Sequence, residues 1–122
     1  IEEYEPYFEA FNPTKYNPRE WARQAKAAGM KYMVLTAKHH DGFCLFDSDY
    51  TEYKVTNTPI GKDLVKEFVE AVREEGLKVG LYFSLIDWYH KDFPKYGFGE
   101  IWYPRENIHT QESRNDLSLT TQ

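Results

Sequence analysis

Cys44 is the only thiol in the chain, so neither an internal disulfide framework nor a thiolate metal site can be built from it. Positive charge is also in deficit: 15 lysines and arginines stand against 20 aspartates and glutamates, spread along the chain without a basic patch. A nucleic-acid partner held by phosphate neutralisation is therefore not expected. No apolar run approaches the roughly 20 residues that a bilayer span needs, so no membrane partner is expected either. Low-complexity tracts are missing as well. The first residue is Ile1 rather than a methionine, which leads us to expect that the natural amino terminus lies elsewhere. No compartment is assigned on this basis.

What the chain does have is apolar content and rings. At 122 residues and 41% hydrophobic content it can bury the core of a small domain. Ten tyrosines, eight phenylalanines and three tryptophans make it rich in aromatics, which both fill cores and stack on flat or sugar-like ligands.

Local signals divide the chain into helix and strand. Asn17-Pro18-Arg19-Glu20 predicts a helix start: Asn17 caps, Pro18 has its φ preset, and Glu20 reaches back. This helix is expected to run to about Ala28, to end at Gly29, and to be followed by a strand over about Lys31 to Lys38. Asp63 is the expected cap of a second helix, with Leu64, Val65, Phe68, Val69 and Val72 along one face and charges along the other. Gly76 stops that helix, and Leu77 to Ser84 reads as a second apolar strand. Helix, glycine and strand thus occur twice, with the two glycines 47 residues apart.

Strand, crossover helix and strand imply parallel pairing, as in an eight-stranded barrel or an open doubly wound sheet. Residues 41–62 make too long a connection for an ordinary βα loop, and such loops at strand carboxyl ends usually build sites. Residues 1–107 are expected to form the folded part and residues 108–122, which are polar and aperiodic, a loosely ordered tail.

The first strand runs straight into Lys38-His39-His40-Asp41-Gly42-Phe43, and the second carries Tyr82, Ser84, Asp87 and Trp88 at its own carboxyl end. Parallel topology points both groups at one mouth, with imidazole and phenol hydrogen-bonding groups beside an indole platform. A polyhydroxylated ligand suits that set. Because successive strand residues face opposite ways, His39 and His40 share a pocket only if the chain bends after the strand. Asp41, before a glycine, reads as a turn former rather than a catalytic carboxylate. Lys38 reads as a framework residue. Trp21, Tyr32, Tyr50 and Tyr53 are expected to be core or loop-packing rings.

Phe11-Asn12-Pro13, Glu20-Trp21-Ala22, Ala28-Gly29-Met30-Lys31-Tyr32, the run from Leu35 to Leu45 and Gly80-Leu81-Tyr82-Phe83-Ser84 together resemble the α-L-fucosidases of glycoside hydrolase family 29. The resemblance covers roughly Phe11 to Pro94, and its Lys-His-His-Asp-Gly-Phe run is its most specific part. It implies an α/β fold, a partial (β/α)₈ TIM barrel of about two βα steps with parallel strands. It also implies cleavage of terminal α-L-fucosides with retention, by an aspartate nucleophile and a separate acid/base, on a fucosylated glycan. His39 and His40 match the family's fucose-binding histidine pair, and Tyr82 matches a tyrosine lining the same pocket; Trp88 joins them as an expected substrate contact.

Phe46 stands where the family commonly has tryptophan. The nucleophile's Trp-Asn-Asp or Trp-Phe-Asp motif does not occur before Gln122, and an upstream histidine of the first barrel strand is missing too. No catalytic residue, metal ligand or cofactor is therefore assigned within the chain, and the isolated polypeptide is expected to be inactive. With both sheet edges unpaired it is also expected to self-associate or form a homo-oligomer. Two other functions fit the residues: a metal-dependent hydrolase on a barrel, drawing on His39, His40, His90, Asp41 and Asp87, and a truncated, non-catalytic sugar-binding fragment. The divergence of neighbouring strand residues opposes the first.

Overall fold

The computed structural model describes residues 5–93, nearly all of them within the compact unit Ile1–His90. The boundary expected at 107/108 and the tail beyond it lie outside the described residues. In chain order the elements are α1 (Glu5–Ala10), α2 (Pro18–Ala27), β1 (Tyr32–Lys38), a 3₁₀ turn (Val55–Asn57), α3 (Leu64–Glu74) and β2 (Lys78–Phe83). The short α1 and the 3₁₀ turn were not among the expected elements. Neither carries the periodic apolar face by which a longer helix shows itself in a sequence.

The two longer helices start where their caps dictate. Asn17 Oδ1 accepts from the Glu20 N–H at 3.1 Å with Pro18 in the first turn, and Asp63 Oδ1 accepts from the Lys66 N–H at 2.8 Å. Each such cap satisfies an orphan amide and stabilises its helix by about 1 kcal/mol. Both helices stop at a glycine in the left-handed region, Gly29 at φ +81° and Gly76 at φ +71°.

Strands β1 and β2 pair in parallel, with Tyr32 opposite Lys78, Val34 opposite Gly80 and Thr36 opposite Tyr82. α2 and α3 pack together, and α3 lies against both strands. The core between them is Ala22, Ala25, Phe68, Val72 and Leu77, with Met33, Leu35 and Val79 packed on it from the sheet. Of the helical face expected from sequence, Leu64, Val65, Phe68 and Val72 are buried together with Ala71, while Val69 is half-buried.

The apolar strands are not covered on both faces among the described residues. Tyr32 and Val34 are 65% and 58% exposed. Tyr32 is therefore not a core ring, because its position alternates away from the helices. Tyr50 is exposed in the long loop, and Trp21 is partly exposed, packing edge-on against Tyr16 at 5.0 Å. Only Tyr53 of that group is buried.

The long connection after β1 is tied down rather than slack. Cys44 bridges Lys38 on one side and Lys54 on the other, through Cys44 N–H to Tyr53 O at 3.1 Å and Val55 N–H to Cys44 O at 2.8 Å. Leu45 donates to Ala37 O at 2.9 Å, and Val65 donates to Leu45 O at 3.1 Å. These bonds fasten the loop to both the end of β1 and the start of α3.

Candidate functional site

The register of the two strands shifts between Thr36 and Lys38, so that Lys38 pairs with Phe83 and Ala37 is an extra residue on β1. A bulge of this kind re-aims the residues after it. A turn then closes from His39 O to the Gly42 N–H at 3.1 Å. The bend needed for two adjacent histidines to lie together is present, and the His39 and His40 rings are 4.3 Å apart between centroids.

The segment after β2 folds along this turn. Ser84 N–H donates to Lys38 O at 3.0 Å, and Trp88 N–H donates to His40 O at 2.7 Å. The consequence is a continuous row of rings. Tyr82 stacks on His39 at 5.6 Å with 25° between planes, His39 adjoins His40, and His40 lies 5.4 Å from Trp88. All four residues expected from sequence to contact substrate are brought together. His39 and Tyr82 are exposed, while His40 and Trp88 are half-buried.

Beneath the row lies an ion pair. Lys38 is 6% exposed, and its Nζ donates to Asp87 Oδ2 at 2.8 Å while lying 5.0 Å from the centre of the Phe83 ring. Asp87 Oδ1 accepts from the N–H groups of Tyr89 and His90, each at 3.0 Å. Burial pushes the Asp87 carboxyl up, but the hydrogen bond and charge of Lys38, with those two amides, outweigh it and hold the group below the usual aspartate range. Asp87 is thus a fixed anion holding the segment after β2. It is not placed to exchange protons.

Gly42 completes this packing by having no side chain. A Cβ there would overlap Asp87 Oδ1 and lie 2.7 Å from Tyr89 Cβ. Gly42 is therefore needed for the close approach of the two loops as well as for its left-handed φ of +85° in the turn. Behind it, Phe43 meets Phe8, Phe11 and Tyr53 at centroid distances of 5.8, 5.2 and 5.2 Å, and Tyr53 stacks on Tyr89 at 4.4 Å. Cys44 is buried, and burial raises its thiol pKa despite the opposing charge of Lys38. It is not an activated nucleophile.

Ser84 was expected at the same strand end but not as a substrate contact, and its hydroxyl is the partner of His40 Nδ1. The signal for it was its place directly after the second strand, at the carboxyl end. Among the described residues no group of three or more His, Cys, Asp or Glu side chains is arranged to hold a metal ion, and no helix is long and apolar enough to cross a membrane.

The family pattern described as alpha-L-fucosidase matches residues 2–114. The chain belongs to the alpha-L-fucosidase family. Its relatives include alpha-L-fucosidase 1 of Arabidopsis thaliana, 42% identical over 88 residues that cover 70% of this chain and 17% of the relative. Human plasma alpha-L-fucosidase is 39% identical over 92 residues, covering 74% and 20%. Among solved structures, alpha-L-fucosidase isoenzyme 1 from Paenibacillus thiaminolyticus superposes with a TM-score of 0.77 at 64% identity, over 80% of this chain and 23% of that one. A family 29 alpha-L-fucosidase from Bacteroides thetaiotaomicron gives 0.72 at 38%, over 97% and 24%. The chain therefore spans between 17% and 24% of the length of these fucosidases. Its parallel strands alternating with helices correspond to part of the family's TIM-barrel domain.

Proposed function

We propose that this chain supplies the sugar-gripping rim of a retaining α-L-fucosidase, in which His39, His40, Tyr82 and Trp88 contact the terminal fucose of a glycoconjugate. The observation that carries this reading is the unbroken row of rings at the carboxyl ends of two parallel strands, where barrel enzymes collect their chemistry. Imidazole nitrogens and the phenol hydroxyl offer donors and acceptors to sugar hydroxyls, while ring faces suit the apolar C–H surface of a deoxysugar. The ion pair below keeps the row in place, so the binding groups are ordered before the ligand arrives.

Hydrolysis with retention needs two carboxyl groups about 5 to 5.5 Å apart, one attacking and one passing a proton. Neither nearby aspartate fits those roles: Asp87 is committed to Lys38 and two amides, and Asp41 sits in the turn. The 122 residues alone are therefore proposed to bind at most weakly and to cleave nothing. Among the described residues, the bare sheet face and the two strand edges without a neighbour also favour self-association of the isolated chain.

The test is release of p-nitrophenol from p-nitrophenyl α-L-fucoside. The complete polypeptide as naturally produced is expected to turn over, and the 122-residue chain to stay at background. In the active protein, His39→Ala or His40→Ala is expected to lower kcat/KM by roughly 10- to 100-fold, because a buried sugar hydroxyl is left unmatched. Wild-type kinetics in both variants would remove the histidines from the site.

A further inference from the structure

Ser84 has a single hydroxyl proton, and it is already given away: Oγ donates to Ile86 O at 2.9 Å. A carbonyl oxygen has no proton to return. The same Oγ is the hydrogen-bond partner of His40 Nδ1, and a hydrogen bond needs one proton between its two heavy atoms. That proton must come from the imidazole. We infer that Ser84 is a positioning residue that holds neutral His40 in the Nδ1–H tautomer, so that Nε2 presents a lone pair to the ligand.

The surroundings leave Ser84 little choice. It is 3% exposed, which keeps water from serving the hydroxyl as another acceptor, and its backbone is anchored by its N–H to Lys38 O at 3.0 Å. His40 is fixed from both sides by His39 and Trp88, and its carbonyl accepts from the Trp88 N–H. Among the described residues, Nε2 makes no hydrogen bond. In a neutral imidazole the nitrogen without the proton is an acceptor, and the partner of the other nitrogen decides which one that is.

The consequence is a rule for the ligand. His40 Nε2 takes a group with a proton to give, so the sugar hydroxyl facing it acts as donor, and an O-methyl ether at that carbon is refused. The identity of the ligand rests on the fucosidase reading, whereas the tautomer does not.

The experiment uses the complete polypeptide as naturally produced, labelled with ¹⁵N-histidine, with two-bond ¹H–¹⁵N correlation spectra recorded above neutral pH and His40→Gln used to assign the signals. The expected His40 pattern is a pyrrole-like Nδ1 and a pyridine-like Nε2. Ser84→Ala should relax the ring toward the Nε2–H form, and Ser84→Thr, which keeps the hydroxyl, should restore the wild-type pattern. Fucose affinity is expected to fall about tenfold in Ser84→Ala, as for one lost hydrogen bond, and to recover in Ser84→Thr.

A pyridine-like Nδ1 in the wild type, or a doubly protonated ring, overturns the inference, and that measurement needs no variant to fold. An Nδ1–H tautomer unchanged in Ser84→Ala removes the role of Ser84. Fucose binding with an Nε2–H ring would sink the tautomer assignment alone, whereas the assigned tautomer in a protein blind to fucose would sink the sugar reading alone.

Discussion

Met33, Leu35 and Val79 press onto the core beneath α2 and α3, while Tyr32 and Val34, on the same sheet, stand open to solvent. Both sets are apolar, and both sit in the regular part of a parallel pair. The difference is that, among the described residues, helices cover only one face. An all-apolar strand belongs in a sheet covered on both sides, so the bare face is where further structure of a barrel would pack. The rim at the strand ends is a third environment, held by an ion pair and hydrogen bonds rather than by apolar contact.

The largest effect is expected on the covered face. Phe68 is among the most completely buried side chains, and Phe68→Ala should cost about 3 to 5 kcal/mol. That is a large share of a small domain's stability, so the urea midpoint should fall steeply. An unchanged midpoint would mean that the helix-side core does not carry the fold.

The rim comes second. Asp87→Asn leaves the Lys38 ammonium buried without its counter-ion, at an expected cost of about 2 to 4 kcal/mol, somewhat under the range for a fully buried pair because Asp87 is 28% exposed. Acid should weaken the same contact. With its folded-state pKa below the usual aspartate value, Asp87 contributes stability that is fully present above that usual value and is lost as pH falls through the depressed one. A rim that tightens in acid, read by amide exchange at Tyr89 and His90, would contradict this.

A smaller change is expected at a helix cap. Asp63→Ala should cost about 1 kcal/mol, measured by denaturant midpoint, since it frees the Lys66 amide. The smallest belongs to the bare face. Val34→Thr should shift the stability of the 122-residue chain by less than about 0.5 kcal/mol. In the complete protein, where we propose that face to be covered, the same hydroxyl should cost about 1 to 3 kcal/mol. Equal effects in the two settings would erase the contrast between the faces.

Much of this was readable along the chain. Caps at Asn17 and Asp63, stops at Gly29 and Gly76, and the parallel order of the strands come from short-range rules, and each is found where those rules put it. The gathering of His39, His40, Tyr82 and Trp88 at the strand ends came from topology. The exposure of Tyr32 and Tyr50 did not, because apolar character states what a side chain prefers and not what is there to cover it. Nor did the short α1, whose six residues carry no periodic signal.

The amino-acid order alone determined where each longer helix and strand begins and ends, since capping, glycine geometry and apolar spacing act within a few residues. Only the tertiary structure decided how the rim is wired. The extra residue at Ala37, the Lys38–Asp87 pair and the Ser84–His40 bond join groups up to 49 positions apart. Their partners are chosen by strand register and by the room left at Gly42, and neither is encoded locally.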